Sequence, residues 1–132
     1  LGDEGFEALS IGLKESKTLT TLDLSNCISS TKKIGPKAEA ALASAIAVTG
    51  SLTAANLLSN QFDTEIAAML LKIKDDTPQL VTLCGLTHQE TELNLYLKRL
   101  GPADAMLLAP EIAVSHSLTQ VRPTLFRMSF VT

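Results

Sequence analysis

The chain is 132 residues long, 45% hydrophobic and carries a formal net charge of −3, which supplies apolar material for one continuous core and calls for no second domain. Its lysines and arginines are dispersed apart from the pairs Lys32-Lys33 and Lys98-Arg99, so the basic footprint of a nucleic-acid partner is missing, and no apolar run reaches the roughly twenty residues of a membrane span. Cys27 and Cys84 lack CxxC or zinc-like spacing and make no disulfide framework of the kind a small secreted domain uses; the expected setting is intracellular and cytoplasmic, with a removed targeting segment left open by the start at Leu1.

One register runs through the chain. Leu1 and Leu19, Ile34 and Leu52, Phe62 and Leu80, and Leu100 and Leu118 are each eighteen residues apart, and another leucine falls eight positions into each interval, at Leu9, Leu42, Leu70 and Leu108. Four copies of one spacing make a tandem repeat, whose units bury their apolar faces on their neighbours.

In chain order, residues 5–15 have apolar side chains at helical spacing and predict the first helix. Leu19-Thr20-Thr21-Leu22-Asp23-Leu24-Ser25-Asn26-Cys27 follows as a strand and its turn. Residues 28–33 lengthen this unit and predict a surface loop, on which Lys32-Lys33 is solvated or meets an acidic partner. Gly35-Pro36 opens the second helix, 37–48, because proline fits the first turn, where its missing N–H has no intrahelical acceptor to lose. Residues 52–60 repeat the strand pattern with Ala55 for one leucine and Asn60 in the last slot. A third helix is predicted over 64–74, and Asp75-Asp76 before Thr77-Pro78 reads as a solvated turn, lacking the oxygen ligands of a calcium loop.

The next strand, 80–85, places Gly85 where a core leucine belongs, and Glu92-Leu93-Asn94-Leu95-Tyr96 reads as another strand after a connection too short for a helix. Residues 84–99 thus form a hairpin or a truncated unit, and the Leu93/Leu95 alternation favours the truncated unit. Gly101-Pro102 opens the last helix, 103–114; segments 34–53 and 100–119 share about half their residues, the mark of a duplication. After Val121 the pattern fails: Pro123 stands in a core-leucine slot, where a sheet tolerates proline only at edges, bulges or strand starts. The tail beyond is apolar and uncapped, so Leu125, Phe126 and Phe130 are expected to meet another protein or further chain.

The LxxLxLxxC pattern of 19–27, repeated at 52–60 in units of about 28 residues with one strand and one helix each, resembles the ribonuclease-inhibitor-like class of leucine-rich repeats. The resemblance covers residues 1–121, with 122–132 as an irregular tail. It implies an α/β solenoid, a curved stack with a parallel sheet on the concave face and helices on the convex face. It also implies a noncatalytic scaffold for another protein, free or inside a multi-subunit assembly, or a regulator that activates a small GTPase or inhibits a nuclease. Alternation along the strands would turn Thr21, Asp23 and Ser25, then Ala54, Asn56 and Leu58, then Thr82 and Cys84, then Glu92, Asn94 and Tyr96 toward solvent as the binding row. That row has one tyrosine and no tryptophan or arginine, so the ends, helices and tail carry comparable weight as docking surfaces.

Enzyme signatures are missing. There is no P-loop, no GxGxxG after a strand, no HExxH and no GxSxG elbow. His88 and His116 stand far from any partner at ligand spacing and read as solvated or capping residues, so neither a metal nor a cofactor is expected. Cys27 fits the last repeat slot, and Cys84 is the thiol to probe, against the commoner fate of structural burial.

Overall fold

Helical and strand-forming stretches alternate along the chain, and they fold as alternating elements. A computed structural model describes residues 2–27, 35–95 and 100–122. The order is α1 (Asp3–Glu15), β1 (Thr21–Asp23), α2 (Pro36–Val48), β2 (Ala54–Asn56), α3 (Thr64–Asp75), β3 (Glu92–Asn94), α4 (Pro102–Val114) and β4 (Gln120–Arg122). The arrangement is mixed α/β, with two small parallel sheets, β1–β2 and β3–β4. The inserted segment 28–33, Tyr96 and the tail residues Leu125, Phe126 and Phe130 lie outside the described residues.

Each later helix begins where a carboxylate receives its entering backbone. Gly35 and Gly101 are N-caps followed by proline, and neither has a side chain to cap with. The Gly101 N–H donates instead to Asp104 Oδ2 (2.8 Å), within α4. The Gly35 N–H donates to Asp3 Oδ1 of α1 (2.9 Å), and the N–H of the α3 N-cap Asp63 donates to Glu39 Oε2 of α2 (3.0 Å). Negative charge is favoured at a helix N-terminus, and here two of the three carboxylates come from the preceding helix, so capping also fixes neighbours.

The helices pack in chain order, α1 on α2, α2 on α3 and α3 on α4. The repeat register explains their core. Leu42, Leu70 and Leu108 are buried in equivalent slots, as are Leu52 and Leu80 in the slot before each strand. Leu9, Leu19 and Leu118, at the same spacings, are only half-buried. Phe6, Ile46, Leu57, Leu83, Leu95 and Leu107 complete the interior.

Segment 80–85 lies along the free edge of β2. The Val81, Ala55 and Leu57 N–H groups donate to Thr53, Thr82 and Leu83 carbonyls at 2.9, 3.0 and 2.9 Å. A parallel bridge joins Ala54 and Thr82, but pairing loses its regularity at Asn56 and Cys84. Gly85 is the reason. Its φ is +71°, and an added Cβ would lie 2.9 Å from Asn56 Nδ2, so a glycine lets the chain leave the sheet beside that side chain. Among the described residues β3 pairs with β4, in parallel, and not with 80–85. The hairpin alternative is thereby removed, and a strand entered through a short loop remains.

Candidate functional site

The exposed strand face is built by register. Thr21 lies opposite Ala54 and Asp23 opposite Asn56, while Leu22 and Ala55 between them turn inward. Thr21 and Asp23 are exposed; Ala54, Asn56 and Ser25 are half-buried. Turn chemistry orients the two polar strand ends: Asp23 Oδ1 accepts from the Ser25 N–H (3.0 Å) and hydroxyl (2.7 Å), and Asn56 Oδ1 accepts from the Leu58 N–H (3.2 Å). The turn at Gly85, Leu86 and Thr87 rises beside this face and, with Thr21, Asp23, Ala54 and Asn56, encloses a cleft of about 240 Å³.

Several expected members of the binding row are not on it. Leu58, Thr82 and Cys84 are 4%, 1% and 3% exposed, which corrects their predicted outward placement. Strict alternation holds only while a strand stays extended. Leu58 stands just before the left-handed Ser59 (φ 65°), and Thr82 and Cys84 sit where the edge segment breaks away at Gly85 and α4 covers it. Glu92 and Asn94 are exposed but belong to the other sheet, where Glu92 pairs with Arg122. Asn56 and Asn94 therefore do not belong to one sheet.

Behind the edge segment lies a polar centre around Glu111 of α4, 1% exposed. Its Oε1 accepts from the Thr82 hydroxyl (2.5 Å) and from His88 Nε2 (2.8 Å), and its Oε2 accepts from the Leu83 N–H (3.0 Å). Thr82 Oγ1 in turn accepts from the Cys84 and Leu86 N–H groups at 3.0 and 3.1 Å. Burial, then the adjoining Glu111 carboxylate and Asp104, push the Cys84 thiol well above its ordinary value. A thiol held neutral in this way is a poor nucleophile. His88 serves as an internal hydrogen-bonding group, with a side chain 27% exposed, and His116 is exposed. Among the described residues no three His, Cys, Asp or Glu side chains are grouped to hold a metal ion, and no helix is long and apolar enough to cross a membrane.

Two further buried polar residues join units. Asn60, fully buried, accepts from the Cys27 N–H (2.8 Å) and donates to the Leu24 and Leu57 carbonyls at 2.8 and 3.1 Å. Asp104, 2% exposed, accepts from the Ser59 and Gly101 N–H groups, both at 2.8 Å. Burial raises the Asp104 carboxyl, and these two hydrogen bonds oppose the rise. A carboxyl raised on folding holds its proton to higher pH than in the unfolded chain. Its contribution to stability is then fullest below the unfolded value of about 3.9 and is lost as pH rises through the folded value. The stability advantage of the native chain over Asp104→Asn is therefore expected to shrink between pH 4 and pH 7, as read from urea midpoints. A constant or growing advantage would contradict the direction.

Sequence reasoning passed over Glu39, Asp104 and Glu111. A signal for Glu111 was present: in the two duplicated segments it stands opposite Ala45, a fully buried position. An acid in a core slot requires partners. Glu39 and Asp104 read equally well as solvated first-turn acids, and nothing local separates the two cases. No family model, no curated protein and no solved structure matches the chain.

Proposed function

We propose that the chain is a noncatalytic protein-recognition module of leucine-rich-repeat type, ribonuclease-inhibitor-like in its units, that holds a partner on the strand face of β1 and β2. The fourfold register, the LxxLxLxxC pattern and the helices packed in chain order support the repeat reading. So does Asn60, which ties the turn of one unit to the strand end of the next. The observation that carries the recognition role is the row of Thr21, Asp23 and Asn56 on one register-matched face opening into the cleft. A curved stack with a concave sheet is the architecture this reading entails, and the fold class alone does not name the partner.

The test replaces Thr21 and Asp23 together by arginine, which alters the exposed face and no buried side chain. Ile11→Glu and Val114→Glu, at exposed helix positions 63% and 58% accessible, serve as controls. A protein retained from native lysate by the unmodified chain and both helix variants, and lost from the strand variant, is the expected result. Loss confined to the helix variants would overturn the proposal.

A further inference from the structure

Residues 86–90 carry the chain from the first sheet to the second, and among the described residues none of their backbone groups bonds to another backbone group. Side chains hold the segment instead. Thr82 Oγ1 receives the Leu86 N–H (3.1 Å), Glu90 Oε2 the Thr87 N–H (2.9 Å), and the Ser117 hydroxyl donates to the Glu90 carbonyl (2.7 Å). The inward tie is His88 Nε2 to Glu111 Oε1 at 2.8 Å. Both ends of the turn sit in the left-handed region, Gly85 at φ 71° and His88 at φ 67°. For a histidine this is a sparsely occupied conformation, which persists where surrounding contacts impose it. The outer side of the turn forms one wall of the strand-face cleft; Cys84, buried, directly precedes the hinge, and its N–H shares the Thr82 Oγ1 acceptor with the Leu86 N–H of the turn.

A segment fastened by side chains and hinged at glycine opens at lower free energy than the ladder-bonded elements around it. We propose that residues 85–90 form a hinged strap, with Gly85 as hinge and the His88–Glu111 bond as latch, whose opening widens the strand-face cleft and uncovers Cys84. As regulation of that cleft the strap rests on the recognition reading. As a motion of the fold it does not, and its test needs no partner.

The experiment is native-state alkylation of the full chain with iodoacetamide, followed by peptide mass mapping, so that Cys27, which is half-buried, is an internal reference. In the unmodified chain Cys84 should label slowly, with a rate nearly independent of urea well below the unfolding transition, because local opening exposes little surface. His88→Asn keeps a residue tolerant of positive φ but too short to reach Glu111. It should raise the Cys84 rate tenfold or more, while amide exchange in α2 and α3 stays unchanged. A Cys84 rate within twofold of the unmodified chain, or one that rises together with exchange in α2 and α3, would overturn the proposal. Should that variant fail to fold, the urea dependence of the unmodified chain decides: a slope equal to that of global unfolding counts against the strap, and a flat one supports it.

Discussion

Replacing Asn60 by aspartate should destabilise the chain by about 3–5 kcal/mol at neutral pH, the usual cost of leaving a buried charge uncompensated. The substitution is nearly isosteric, so packing at this fully buried position does not change. Only the donor is lost. One oxygen can still accept from the Cys27 N–H, but the other replaces the amide nitrogen that now donates to the Leu24 and Leu57 carbonyls. Three like-signed oxygens would meet in the interior, and the introduced carboxyl would hold its proton to a higher pH than in the unfolded chain, where its value is about 3.9. The sign follows from linkage. The variant's deficit should be smallest below that value, where the protonated group can donate to one carbonyl, and should grow to its full size as pH rises through the folded value. Urea unfolding at pH 4 and pH 7, compared with the unmodified chain at each pH, measures this. A deficit unchanged across that interval would mean that the two carbonyls are not what Asn60 serves.

Asn60 also marks how far the sequence could be read. Its position in the last slot of the repeat pattern assigned it to the turning backbone, and there it bridges two units across 33 and 36 residues of sequence. The helices were legible for the same kind of reason: a leucine every unit in the same slot, and a Gly-Pro pair at two of the four starts, leave little choice about where helical turns begin. Short parallel strands were legible as positions but not as partners. The break between the sheets turns on Gly85 and the Asn56 side chain beside it, a contact between residues 29 apart that no local pattern encodes.

Placement on the outer strand face was legible where alternation is undisturbed, at Thr21, Asp23 and Asn56, and failed where tertiary contacts decide burial. Thr82 and Cys84 satisfy the strand pattern, yet α4 brings Glu111 against them, and a carboxylate in the interior draws the nearby hydroxyl and N–H groups toward itself. His88, expected as a solvated or capping residue, is part of that centre for the same reason. Composition and spacing describe which residues could face water. They do not describe which buried acid will need donors.

That need sets the second large effect. Glu111→Ala is expected to cost about 3–5 kcal/mol, because it leaves the buried Thr82 hydroxyl and Leu83 N–H, and the partly exposed His88 Nε2, without their acceptor, and each orphaned buried group costs about 1–3 kcal/mol before relaxation. The duplicated segment carries Ala45 in the same slot, fully buried, so alanine is compatible with this helix position and the expected penalty comes from the orphaned donors. Glu111→Gln should fall between the two, since it keeps the shape and one acceptor but turns an amide donor toward a group that is itself a donor. Urea midpoints at constant slope separate the three chains. An alanine variant within about 1 kcal/mol of the unmodified protein would show that the donors find other partners, and would place the strap's hold elsewhere than in Glu111. The same variant removes the carboxylate that adds to burial in raising the Cys84 thiol, but burial is the larger cause. The thiol should therefore stay unreactive while the strap is closed, and any gain in labelling in this variant should report opening of the strap and not a better nucleophile.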